Sequence, residues 1–289
     1  MSAIDPRGAV VAITGGGRGI GRATARAFVD AGARVAIGDL DGEVATTAAH
    51  ELGGTVAREL DVRSRESFAS FVDAVEGELG PIDVLVNNAG LMPIARFLDE
   101  SDATSAATLD VNVWGPIVGM RLVAPGMVER GRGHIVNVSS GLGKAAAPGL
   151  AVYSASKHAV VGLSSVVRQE LAGTGVTVTT VLPSAVRTEL SSGVPGGFGM
   201  PRVDPEDIAV AIVRSCRRRP AEVPVPRWIG PLMRLGQATP EPLLRRLDGV
   251  LGADRALTKL DAGKREAYEA RVRRQTVNHT DPTSREDRP

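Results

Sequence analysis

Apolar residues in the first part of this chain come in continuous runs rather than in alternation, and each run ends in a turn. Ala9–Thr14 (AVVAIT) leads into Gly15-Gly-Gly-Arg-Gly-Ile-Gly21 and an alanine-rich stretch to Ala31, and Ala33–Gly38 (ARVAIG) then ends at Asp39. That order predicts strand, glycine turn, helix and a second, parallel strand. Strands apolar on both sides belong to a sheet covered on both faces. The rhythm continues with helices expected over Gly42–Leu52 and Ser64–Leu79 and strands over Thr55–Leu60 and Ile82–Val86. A long helix over about Ala103–Arg130, with Pro125 as a place for a kink, precedes a strand at His134–Val138. A helix over Tyr153–Ala172, a strand at Val176–Leu182, a helix over Pro205–Arg217 and a short last strand at Glu222–Val225 complete the series. Such βα alternation implies a doubly wound α/β sheet.

From Arg227 the pattern changes. Prolines at 231, 240 and 242 interrupt helical apolar spacing at Leu243, Leu244, Leu247 and Leu251, and a charged helix is expected over about Asp254–Gln275. Asn278–Pro289 is polar and proline-bearing and reads as disordered. The expected organisation is a core over 1–226, a helical extension over 227–277 and a tail over 278–289.

A net charge of +1 gives no electrostatic case for nucleic acid. One cysteine, Cys216, excludes an internal disulfide and fits a reducing, cytoplasmic setting. His50, His134, His158 and His279 show no metal-ligand spacing, so no metal site is expected. No signal peptide is read at the N-terminus, and no run of about 18 apolar residues suggests a membrane span.

Two places carry candidate chemistry. A glycine turn opening a helix exposes N–H groups that bind phosphate, although the Gly15, Gly19, Gly21 spacing alone also suits a plain turn. Asp39, at the end of the second strand, is placed to accept hydrogen bonds from an adenosine ribose and to repel a 2′-phosphate. It could instead cap the following helix, a role for which Asp41 is equally suited, and Arg18 offers a cation to such a phosphate. The second place is Ser139–Lys157, which holds one of the two tyrosines, Tyr153, and Lys157 four residues later. On a helix these share a face, and a cation beside a phenol lowers its pKa from ~10 toward the useful range of a general base.

Taken together, Thr14-Gly-Gly-Gly-Arg-Gly-Ile-Gly21, Asn87-Asn-Ala-Gly90, Asn112, Ser140 and Tyr153-Ser-Ala-Ser-Lys157 resemble the short-chain dehydrogenase/reductase family over about residues 7–226. The resemblance implies a Rossmann-like fold and an active-site tetrad of Asn112, Ser140, Tyr153 and Lys157, with Ser140 chosen over Ser139 because it lies 13 residues before Tyr153. It implies that Tyr153 moves the proton, that Ser140 donates to the substrate oxygen, and that Lys157 lowers the Tyr153 pKa and holds the nicotinamide ribose. Asn112 would help position Lys157. The implied cofactor contacts are Gly15, Arg18, Gly19, Ile20, Gly21, Asp39, Asp61, Val62, Asn88, Ala89, Gly90, Tyr153, Lys157, Pro183, Val186 and Thr188. Asp61 could equally cap the helix starting at Ser64, and Ser184 stands where the family usually has glycine. Asp39 favours NAD, with an NADP-dependent carbonyl reductase as the alternative and a non-catalytic dinucleotide sensor behind it.

Candidate pocket walls at Leu91–Ile94, Leu142–Lys144, Gly149 and Ser191–Met200 are mostly apolar, which points to a hydrophobic alcohol or ketone. A homodimer or homotetramer is the expected assembly. For the tail three roles compete: a cover over the substrate mouth, a subunit contact, or peripheral membrane contact through arginines such as Arg217–Arg219, Arg245 and Arg246.

Overall fold

The computed structural model describes residues 3–194, 202–240, 242 and 255–277. Parts of three expectations lie outside these residues: much of the Ser191–Met200 wall, the Leu243–Leu251 spacing and the Asn278–Pro289 tail.

Seven strands form one parallel sheet: β1 (Val10–Thr14), β2 (Arg34–Asp39), β3 (Val56–Glu59), β4 (Val84–Asn87), β5 (Gly133–Val138), β6 (Val176–Pro183) and β7 (Glu222–Val225). Their order is β3-β2-β1-β4-β5-β6-β7. The continuous apolar runs are explained by burial on both faces. Successive side chains of a strand point to opposite sides, so Val11 and Ile13 join one core while Val10 and Ala12 join the other. The first core is completed by α1 (Gly19–Asp30), α2 (Gly42–Leu52) and α7 (Pro205–Arg218), through residues such as Phe28, Leu52 and Ile212. The second is completed by α3 (Arg65–Leu79), α5 (Gly115–Glu129) and α6 (Ala151–Glu170), with Phe68, Phe71 and Met127 as its large side chains.

The long helix between β4 and β5 differs from expectation in where it is irregular. α4 (Asp102–Leu109) passes through a wide π turn at Asp110–Trp114 into α5, and that turn carries Asn112. Such turns are common at functional positions. By length and composition Asp102–Glu129 could cross a membrane, but half of its most apolar window is buried. Its partners, α3, α6, β4 and β5, are those of a core helix.

After β7 come α8 (Ile229–Ala238), a short α9 (Arg255–Thr258) and α10 (Ala262–Val277). Thus the charged helix expected over Asp254–Gln275 is divided. α10 packs on α4 and on the turn at Glu189–Ser191. Its buried Tyr268 and Val272 meet Leu91 and Ala107. The apolar side of α10 is therefore occupied within the chain, which leaves no basis there for lipid contact.

Candidate active site

All strands run the same way, so their carboxyl ends share one edge. Strand order reverses between β1 and β4, the place where open α/β sheets bind ligands, and a cavity of about 2000 Å³ opens there. Of the sequence-derived site residues, Gly15, Arg18, Gly19, Ile20, Asp39, Asp61, Val62, Asn88, Ala89 and Gly90 line it. So do Ser140, Tyr153, Lys157, Pro183, Val186 and Thr188, whereas Gly21 and Asn112 stand behind the wall.

The glycine turn is held from the neighbouring strand. Asn88 Nδ2 donates to the carbonyls of Thr14 and Gly15, both at 3.0 Å, and Thr14 Oγ1 accepts from the backbone N–H of Asn88 and Ala89. Gly15 has φ +64°, and a Cβ on Gly21 would come within 2.0 Å of the Gly15 carbonyl oxygen. Only glycine allows this closeness. The first turn of α1 has neither a side-chain cap nor an acidic residue, so its N–H groups suit an anion.

Asp39 does not cap α2; that role belongs to Asp41, which accepts from Val44 N. Instead Asp39 Oδ2 accepts from Gly17 N at 3.0 Å, which fixes the carboxylate beside the turn. Arg18 is paired to Asp41 at 3.1 Å, so the cation considered for a 2′-phosphate is already engaged by a carboxylate. Asp61 likewise is not the cap of α3, where Ser64 accepts from Ser67 N; it holds Arg63 in an ion pair at 2.7 Å.

The other side of the cavity holds Ser140, Tyr153 and Lys157. α6 buries Tyr153 and Lys157 together. Ser139 also lines the cavity, with its hydroxyl donating to the Lys157 carbonyl at 2.9 Å. Ser140 Oγ accepts from Leu142 N at 3.1 Å, which leaves its own proton to donate. Asn112 reaches the loop after β4: its Oδ1 accepts from Leu91 N, and its Nδ2 donates to Leu91 O and Ser156 Oγ. These contacts hold the α6 helix and the Leu91 wall. Asn87 Nδ2 donates to the Asn137 side chain at 2.8 Å.

Burial works on Tyr153 against the lowering expected from Lys157. The phenol is pushed up to about 12, first by burial, with a hydrogen bond to Ser140 acting the other way and nearby Tyr268 adding a small rise. The Lys157 ammonium lies 5.7 Å from the centre of the Tyr153 ring and donates to Val138 O at 3.1 Å. Burial draws Lys157 itself down to about 8, since a low-dielectric site disfavours every charged form.

Sequence reasoning offered the tail as a cover over the substrate mouth but named none of the α10 residues that reach the cavity. Tyr268, Ala267 and Arg271 line the same cavity. Tyr268, buried beneath Arg265 and Arg271, accepts a 2.8 Å hydrogen bond from Met92 N. Arg265 is almost wholly buried and donates to the carbonyls of Met92, Leu190 and Ser192. The available signal was rarity: Tyr268 is the second of only two tyrosines. Lys144, considered as a substrate contact, is paired to Glu222 at 2.8 Å.

A parallel sheet of this order thus carries a glycine turn at its switch point and, in the same cavity, Ser140 with the buried Tyr153 and Lys157. A family profile described as short chain dehydrogenase matches residues 9–195, and the chain belongs to that family. It is 39% identical over 212 residues to the probable oxidoreductase EphD of Mycobacterium tuberculosis, covering 70% of this chain but only 36% of that protein. The chain thus spans about a third of the first curated relatives' length. It is also 39% identical over 187 residues to D-threitol dehydrogenase of Mycolicibacterium smegmatis, covering 63% of this chain and 72% of that one. Among solved structures, a 3-ketoacyl-(acyl-carrier-protein) reductase from Brucella melitensis complexed with NADH superposes with a TM-score of 0.71. It is 28% identical, with 76% of this chain and 97% of that one covered.

Proposed function

We propose that the protein is an NAD(H)-dependent oxidoreductase that interconverts a hydrophobic alcohol and its carbonyl. The observation that carries this reading is the juxtaposition, in one cavity, of the Ser140–Tyr153–Lys157 group and a glycine turn flanked by Asp39. The residues present fit a dinucleotide. The uncapped first turn of α1 suits a pyrophosphate, and Asp39 favours a free ribose over a phosphorylated one. When bound, the nicotinamide supplies the hydride acceptor or donor.

The chain's own part is proton handling. Tyr153, neutral at rest, can give its proton to a developing alkoxide, while Ser140 donates to the same oxygen and stabilises the charge as it forms. Lys157 is placed to hold a ribose hydroxyl through its remaining N–H groups. Alcohol oxidation requires the phenolate, so it should rise toward alkaline pH. Around the phenol the wall is formed by Met92, Ala147, Leu150 and Leu142, which favours an apolar substrate. Homo-oligomeric assembly and a cytoplasmic place of work belong to the same reading; a light-scattering mass of one chain would remove the former.

Tyr153→Phe tests the role directly, with apolar alcohols, ketones and a polyol such as threitol as the panel. General acid–base catalysis contributes roughly 10²–10⁴-fold, so kcat should fall by that order with dinucleotide binding kept. Undiminished turnover refutes the role. Tighter binding of NADP than of NAD refutes the reading of Asp39, and preference for threitol over every apolar alcohol refutes the substrate class.

A further inference from the structure

The second tyrosine lines the cavity from the opposite side, yet the proton-transfer scheme above gives it no part. The guanidinium carbons of Arg265 and Arg271 stand 4.7 and 5.2 Å from the centre of its ring. Its oxygen is fixed by the N–H of Met92 at 2.8 Å. That bond uses a lone pair. Among the described residues no acceptor takes the Tyr268 hydroxyl proton, although the side chain is buried, with 2% of it exposed. A buried donor left unmade is costly, and the side chain faces the cavity that holds Tyr153.

Resting on the oxidoreductase reading, we infer that Tyr268 is a substrate-contacting specificity residue: its O–H donates to a second oxygen of the substrate, distinct from the reacting oxygen handled by Tyr153 and Ser140. The substrate class is therefore a largely apolar alcohol or carbonyl compound that carries a further acceptor, such as a carbonyl or ether oxygen. Three features of the site support this. The two cations on the ring and the Met92 N–H leave the phenol one orientation, so its position is set before the substrate arrives. Burial keeps it neutral by pushing its pKa up to about 12, so it is a donor throughout the working range. Tyr153 and Tyr268 line the same cavity, which places the two phenols on one site. Arg265 is a positioning residue here, joining the Met92 wall to the Leu190 and Ser192 wall beneath the ring.

The test compares cyclohexanols bearing, across the ring from the hydroxyl, either an acetyl group or its isopropyl isostere. Wild-type protein with NAD should favour the acetyl compound in kcat/KM by about tenfold, the value of one neutral hydrogen bond. Tyr268→Phe should abolish that preference, read as the ratio of the two kcat/KM values within the variant so that any general loss from freeing the Met92 N–H cancels. Equal preference in both proteins overturns the inference. Binding is read separately on wild-type protein labelled at tyrosine Cζ, which gives two resonances, assigned with Tyr153→Phe and Tyr268→Phe. The acetyl compound should move the Tyr268 signal and the isopropyl compound should not. A Tyr268 signal unmoved by the acetyl compound overturns the inference, whether or not turnover is seen. A moved signal without turnover upholds it and counts against the dehydrogenase reading alone.

Discussion

If burial governs the two tyrosines, raising the pH of the ligand-free protein should ionise neither until far above the ordinary phenol range. Tyr153 and Tyr268 are each pushed from 10.0 to about 12. In the unfolded chain both titrate near ~10. Between those values the unfolded state loses protons that the native state keeps, so stability falls as pH rises, by about 1.4 kcal/mol per pH unit for each tyrosine. Cys216, also pushed up to about 12 by burial, adds a like term from its ordinary value of 9.0 upward. Lys157 acts in the opposite sense between about 8 and its ordinary 10.5, because there the native state has shed a proton that the unfolded state retains. The sum is a nearly level region around pH 9 to 10, then a steep decline of about 4 kcal/mol per unit once Lys157 ceases to contribute. Near-ultraviolet phenolate absorbance, with denaturant unfolding at each pH, reads both quantities. One tyrosine ionising below its ordinary pKa in folded protein would show that the Lys157 charge outweighs burial, and the reasoning would fail.

Two further predictions concern the sheet and the glycine turn. His134 is wholly buried, with Thr177 and Ser215 on its two ring nitrogens, and burial with Arg219 and Arg168 nearby pulls it down to about 3. As pH falls below its ordinary value of 6.5 the unfolded state takes a proton that the native state refuses. Stability should then drop by about 1.4 kcal/mol per unit, a slope that His134→Gln should lessen in pH-dependent denaturant unfolding. Parallel slopes would refute it. Gly21→Ala places a Cβ against the Gly15 carbonyl, so roughly 1–3 kcal/mol of stability and most dinucleotide affinity by calorimetry should be lost. Gly162→Ala, on α6 with nothing within 4 Å, should instead gain about 0.5–1 kcal/mol.

Most strands were readable because a sheet buried on both faces leaves short apolar runs that end in turns. Ser140, Tyr153 and Lys157 were readable because their spacing is local, and the cavity brings all three together. Harder to read were effects that depend on surroundings. The Tyr153–Lys157 spacing says nothing about how much water is excluded, and that exclusion reverses the direction of the phenol shift. The choice between Asp39 and Asp41 as helix cap turned on a Gly17 N–H whose direction only the folded turn defines. Tyr268 was invisible as a site residue because its hydrogen-bond partner, Met92, is joined to it only by the packing of α10.

That packing also has a temporal side. Met92 and Tyr268 are 176 residues apart. At synthesis rates of roughly 5–20 residues per second, Met92 leaves the ribosome about ten to thirty-five seconds before its partner does. Throughout that interval its N–H can be satisfied only by water, while the glycine turn and Asp39 already have each other. A nascent chain therefore gains the elements that hold a dinucleotide well before those that select what reacts with it.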